Sequence, residues 1–212
     1  MRGVLACIGL LAMLTPTPLR SEPISFTADN LGRLPSTFET ALTGGGPPPV
    51  WQVVADKTSG SGYALAQLSA DKTDYRFPLA IYKSKEARNV SVLVRFKAVA
   101  GAVDRAAGVA VRVVDANNYY VVRANALEDN VRFYRVVSGR RKELAGANVK
   151  VTAGEWHRLG LRATDDRFTI LFNDRELFAI PDRTFANAGR IALWTKADSV
   201  THFDDLVIDD LP

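Results

Sequence analysis

The chain has 212 residues, 47% of them hydrophobic, with 27 Lys and Arg against 23 Asp and Glu for a net charge of +4. That length suits one sandwich-sized domain whose core needs no covalent staples. Basic residues dispersed among acidic ones at so mild a balance argue against nucleic acid as a partner.

The chain opens with Met1 and Arg2, then an uncharged apolar run over 3–14 that residues 15–21 break with Pro16 and Pro18. The run has the length of a signal-peptide core and is too short for a membrane span. The expected organisation is a signal peptide over 1–21 and a single domain over 22–212, with no transmembrane segment in the mature chain; an uncleaved anchor or a buried first helix is the alternative. Without Arg2 and Arg20 the balance is 25 basic against 23 acidic, or +2. The single cysteine, Cys7, falls inside the leader. A mature chain without thiols must stand on its core alone, which suits a bacterial periplasmic or secreted protein.

Residues 24–28 read as a first strand, and 43–49, with three glycines and three prolines, as an exposed loop. Strands follow at 50–55, 63–68 and 76–82, the last carrying Pro78, which suits an edge or a bulge. In 89–97, Val90, Val92, Val94 and Phe96 share one face and Ser91, Arg95 and Lys97 the other, the pattern of a half-buried strand. Segments 107–114 and 119–123 read as a hairpin closed by the turn 115–118, and 130–137 and 140–144 as a second pair around Ser138 and Gly139. Further strands are expected after Trp156, over 168–172 and 175–178 around the turn Asn173–Asp174, over 189–194, and over 203–208. No segment carries sustained helical spacing, and turn signals every 8–12 residues predict an all-β sandwich.

The order of pieces from Trp156 and His157 through Gly189 and Trp194 to Phe203, Asp204 and Asp205 resembles the C-terminal half of a concanavalin A-like (laminin G-like) jelly-roll sandwich of two antiparallel sheets. The runs 115–135 and 193–206 are similar to those of exported bacterial proteins with a laminin G-like domain, a group close to the 3-keto-disaccharide hydrolase-like domains. The resemblance implies a fold that binds carbohydrate or protein and only sometimes cleaves carbohydrate; sandwich folds host many functions.

Two-carboxylate hydrolysis lacks its signature. Glu128 and Asp129 are adjacent, as are Asp204 and Asp205, so on a strand each pair points opposite ways. His157 and His202 are the only histidines, too few for a histidine-rich metal site, and no nucleophile elbow is present. No catalytic residue is therefore assigned. A structural calcium ion is the one cofactor considered, with Asp29, Asp198, Asp204 and Asp205 as its candidate ligands; the alternative is that the acidic pair caps the last strand. Arg112, Asn118, Tyr119, Tyr120, Arg123, Asn125, Arg132, Tyr134 and Trp194 combine rigid donor forks, amides and aromatic faces. Arg112 and Arg123 are expected to meet across the hairpin. The set predicts non-catalytic carbohydrate recognition on a concave sheet face; against it stands a reading of the aromatics as core. A disaccharide-cleaving enzyme and an envelope protein-interaction module are the other hypotheses.

Overall fold

The computed structural model describes residues 21–212, so the expected leader lies, save for Ser21, outside the described residues. Among the described residues there are fourteen strands: β1 (Phe38–Gly44), β2 (Trp51–Ala55), β3 (Tyr63–Gln67), β4 (Arg76–Ala87), β5 (Val90–Ala100), β6 (Ala106–Asp115), β7 (Asn118–Asn125), β8 (Asn130–Val137), β9 (Arg140–Asn148), β10 (Trp156–Thr164), β11 (Arg167–Phe172), β12 (Arg175–Pro181), β13 (Gly189–Trp194) and β14 (Val200–Asp210). They form two seven-stranded antiparallel sheets, ordered β1-β4-β13-β6-β7-β8-β9 and β12-β11-β10-β5-β14-β3-β2. The fold is the all-β sandwich that the turn spacing predicts.

The alternation in β5 holds from Val90 to Ala98, with Val90, Val92, Val94 and Phe96 buried and Ser91, Arg95 and Lys97 half-buried. Its buried face joins Leu65, Leu159, Leu161, Phe168 and Ile170 of the same sheet against Val109, Val111, Tyr120, Val122, Phe133 and Leu193 of the other. Each large side chain so buried stabilises the fold by roughly 1.5–3 kcal/mol.

Two expectations needed correction. Residues 24–28 do not form a strand: Ile24 makes one isolated bridge to Leu206, and a 3-10 turn occupies Ala28–Asn30. β3 pairs with β14 only over Thr201 to Phe203, so Ile24 covers a single position of β14 that β3 is too short to reach. Pro78 sits inside the first sheet, between β1 and β13, and not on an edge. It stands one residue past the end of the β4–β13 ladder, and its carbonyl accepts from the Thr195 amide. Its missing N–H therefore points where the β13 ladder has already stopped.

The first sheet is buried on both faces. Behind the main core lies a second apolar cluster of Phe77, Leu79, Ile81, Tyr119, Val121, Tyr134, Val136 and Trp194. The sheet curls around it. From β1, Thr43 Oγ1 donates to the Ala116 carbonyl in the β6–β7 turn, and Tyr75 Oη, just before β4, donates to the Gly139 carbonyl in the β8–β9 turn at 2.8 Å. These bridges roof part of the concave face.

Candidate functional site

Three expected residues, Arg123, Tyr134 and Asn125, come together at the open end of the concave face. Register explains it. Arg123 pairs with Gly108 and Arg132 across β6, β7 and β8, and Asn125 pairs with Asn130 one step further along. Gly108 is required there, because a Cβ on it would lie 2.8 Å from the Val122 carbonyl oxygen and 3.0 Å from the Trp194 ring. Arg123 and Trp194 thus flank a position with no side chain.

Arg123 is only 4% exposed. It donates to Asn130 Oδ1, to Glu128 Oε2 at 2.7 Å and to Tyr134 Oη at 3.2 Å, while its Nε–H is buried without an acceptor among the described residues. The Arg141 guanidinium lies 4.3 Å from the Tyr134 ring centroid, and its Nη1 is likewise buried without an acceptor. Burial alone would raise the Glu128 carboxyl, but hydrogen bonds from Asn130 and Arg123 outweigh it and hold Glu128 below the usual range.

A second polar set adjoins the first. Asn125 Nδ2 donates to Asp104 Oδ1 at 2.7 Å, and Lys196 Nζ bridges Asp104 at 2.8 Å and Asp74 at 2.6 Å. Burial pushes the Asp104 carboxyl up, and its contact with Lys196 offsets this only in part. The loop carrying Asp104 is itself held by Asp198, whose carboxylate accepts from the amides of Ala102, Val103 and Asp104. Val103 and Leu127, exposed on the loops that bear Asp104 and Glu128, add apolar surface beside the polar groups.

The remaining expected residues sit elsewhere. Arg112 does not meet Arg123. A bulge sets Arg112, Val113 and Val114 of β6 against Tyr119 alone, and Arg112 takes φ +50°. Its side chain turns between the sheets, over the Phe168 ring at 5.0 Å. Tyr120 belongs to the main core and donates to Asp182 Oδ1 at 2.6 Å. Tyr119 and Trp194 are fully buried, with the Trp194 indole stacked on Phe77 and donating to Tyr119 Oη at 3.2 Å, so neither presents a face for stacking. Burial pushes the Tyr119 phenol up to about 12, although its bonds with Thr43 and Trp194 pull the other way. Asn118 is spent on its turn, donating to Asp115 and accepting from the Ser138 amide. Arg132 reaches the exposed rim, 2.7 Å from Asn148 Oδ1.

The four candidate calcium ligands are not brought together, and among the described residues no three Asp, Glu, His or Cys side chains gather as a metal site. Asp198 is engaged by its loop, Asp29 lies in the 3-10 turn, and Asp204 accepts from the Gly60 amide on the other sheet. His157 is a strand residue 3.1 Å from the Thr152 carbonyl. Sequence reading did not single out Asn130, Lys196, Asp104 or Arg141. The pairing of Asn125 with Asn130 around a four-residue turn was a usable signal for the first; tertiary packing alone brings in the other three.

No family model and no curated protein matches the sequence. The fold is similar to that of carbohydrate binding module CBM66 from Bacillus subtilis, with 19% identity and a TM-score of 0.65 over 82% of this chain and 98% of that one. Domain 4 of AbnA, a GH43 extracellular arabinanase from Geobacillus stearothermophilus, solved in complex with arabinotriose, matches with 16% identity and a TM-score of 0.57 over 90% and 92% of the two chains. A Bacillus subtilis protein with a galectin-like fold matches with 8% identity and a TM-score of 0.58 over 81% and 89%. At these identities the likeness is one of fold.

Proposed function

We propose that this protein is an exported carbohydrate-recognition module that seats a glycan at the open end of its concave face, around Arg123. One observation carries the reading: the guanidinium groups of Arg123 and Arg141 flank Tyr134, and Arg123 holds the half-exposed Glu128 carboxylate at 2.7 Å, so a polar cluster of donors and acceptors reaches the surface at Glu128. Sugar hydroxyls both donate and accept, which suits a carboxylate held among guanidinium and amide groups. Glu128 supplies the exposed acceptor, with Asn130 and Asp104 bracing the groups behind it, and Val103 and Leu127 offer apolar surface to the C–H face of a ring. Two of the similar folds carry carbohydrate binding in their descriptions, as a named binding module and as an arabinotriose complex. Export to the periplasm or beyond rests on the apolar run over 3–14.

A second reading, a disaccharide-cleaving enzyme of the 3-keto-disaccharide hydrolase-like group, draws on one feature: burial raises Asp104 while Glu128 is held low, the divergence that an acid and a base display. Both carboxylates are tied to cations, Asp104 to Lys196 and Glu128 to Arg123, which favours positioning over proton transfer.

The test is a glycan array with the protein, run with calcium and again with chelator, followed by calorimetry on the best ligand. Arg123→Ala and Asn130→Ala are each expected to weaken binding by about tenfold or more, the loss of one charge-assisted bond. Unchanged affinity in both variants, or an empty array, removes the concave-face reading. Release of reducing sugar from a disaccharide moves the enzyme reading ahead.

A further inference from the structure

On the other face of the same sheet, Arg112 forms the floor of a separate pocket. Its walls come from three places: Arg88 in the β4–β5 turn, Asp165 and Asp166 in the β10–β11 turn, and Asp182, Arg183 and Ala186 before β13. The pocket holds about 240 Å3. That is below the roughly 300–1,000 Å3 of drug-sized sites, so it admits one sugar ring and not an extended chain.

Arg112 is 1% exposed and has no carboxylate partner among the described residues. It donates to the carbonyls of Arg88 at 3.2 and 3.0 Å, of Phe185 at 2.7 Å and of Asp165. Those four bonds leave one of the guanidinium's five N–H groups, on Nη1, without an acceptor. The other charges around the pocket cancel in pairs: Arg88 with Asp165 at 3.2 Å, Arg183 with Asp166 at 2.7 Å, and Asp182 with Arg135 at 2.9 Å. The lining itself carries three arginines and three aspartates; with Arg135 taking Asp182 from outside the pocket, Arg112 at the floor is the one charge without an ion-pair partner among the described residues.

The backbone is shaped to hold that charge there. Arg112 sits at φ +50° inside a bulge, a conformation costly for a residue with a Cβ and concentrated at functional sites. Gly189 makes the bulge possible, since a Cβ on it would fall 2.6 Å from the Arg112 carbonyl carbon.

We propose that this pocket binds a single carboxylate, of the kind a uronic acid unit of an acidic glycan carries. The one guanidinium without an ion-pair partner suits a monoanion, and the three wall aspartates disfavour a doubly charged phosphate. The guanidinium fork matches carboxylate geometry. The Arg88–Asp165 and Arg183–Asp166 pairs at the rim are exposed, with Arg183 side-chain exposure at 86%, and such pairs part at little cost.

The experiment is a titration of the full protein with glucuronate, glucose, acetate, inorganic phosphate and trigalacturonate, followed by amide chemical shifts. Saturable binding of glucuronate but not glucose, with shifts at 165–166 and 183–186 and none at 123–130, is the expected result. Trigalacturonate binding at least as tightly assigns the carboxylate to a glycan. Ala186→Leu, on an exposed wall, fills the pocket without touching the Arg112 bonds and should weaken glucuronate by about tenfold or more; Arg112→Lys should do the same if it folds. The proposal fails if glucuronate does not bind, if Ala186→Leu binds it normally, if the shifts fall on the concave face, or if acetate or phosphate binds as tightly.

Discussion

Asp204 is the least comfortable side chain in the second sheet. It is fully buried; one carboxylate oxygen accepts from the Gly60 amide at 2.9 Å and the other has no partner among the described residues. Its neighbour Asp205, not Asp204, takes the Arg95 guanidinium, at 3.2 Å. Burial therefore raises the Asp204 carboxyl above its ordinary value of 3.8, and the Gly60 bond opposes this only in part. For a group whose folded value is raised, the native state binds more protons than the unfolded state above that ordinary value. Stability is then fully present below about pH 3.8 and declines as pH rises through the folded value. Asp204→Asn keeps an acceptor for Gly60 and removes the charge. It is expected to raise the melting temperature at pH 7 by about 2–4 °C, roughly 1 kcal/mol for a domain of this size. The gain should vanish at pH 3, where the wild-type carboxyl is already neutral. A variant that melts lower than wild type at pH 7 shows that the carboxylate is paired in solution.

The β5–β6 connection shows how one side chain can order a whole element. Asp198, from the β13–β14 loop, is 3% exposed and accepts from Ala102 at 2.7 Å, Val103 at 3.0 Å and Asp104 at 2.9 Å. Burial would raise its carboxyl, yet the three amides outweigh burial and hold it low. That stabilisation is present above the ordinary carboxyl value and is lost as pH falls through the depressed one. Asp198→Ala is expected to cost about 3 kcal/mol in urea unfolding, as bonds to a charged group vanish and buried amides lose their partner. Hydrogen exchange at 102–104 should accelerate more than in β5 or β6. Equal acceleration everywhere means that the loop is ordered by its flanking strands instead. The same element marks the limit of sequence reading. Strands such as β5, β8 and β13 were legible because alternation or a flanking turn is written locally. β1 was not, since its Glu39 and Thr40 are exposed and no alternation stands out. The expected meeting of Arg112 with Arg123 failed at the bulge: an even hairpin register puts both on one face, and nothing in the run 111–115 announces that Arg112 turns between the sheets and Val113 into the second cluster. Asp198 stands in sequence as one of a group with Asp204 and Asp205, and nothing in that grouping announces the three amides its carboxylate accepts from.

At the scale of the molecule, the question is what keeps a seven-stranded sheet curled around a second core. Twist alone does not close it, because β1 and β9 are both edges. Tyr75 spans the gap. Its hydroxyl donates to the Gly139 carbonyl at 2.8 Å and accepts from the Arg141 amide at 2.9 Å, tying the approach to β4 to the β8–β9 turn. The ring packs on Phe77 at 4.8 Å, and Arg141 lies over Phe77 on its way to Tyr134. The bridge thus links the closure of the sheet to the position of a guanidinium in the candidate sugar site. Tyr75→Phe keeps the ring and removes both bonds. Tyr75 is 45% exposed, so water replaces the lost partners and the expected stability loss is small, about 1 kcal/mol, read as a lower urea midpoint at unchanged slope. The larger effect is expected in ligand affinity. Freed from the bridge, the β8–β9 turn no longer fixes Arg141, and binding to the best array glycan should fall by several-fold more than one lost hydrogen bond elsewhere on the surface would cause. Tyr134, anchored by Arg123, stays in place, so the defect should appear in dissociation and not association, since a loosened contact shortens residence. Loss of stability with unchanged dissociation would separate the roof from the site and leave Tyr75 with a structural role alone.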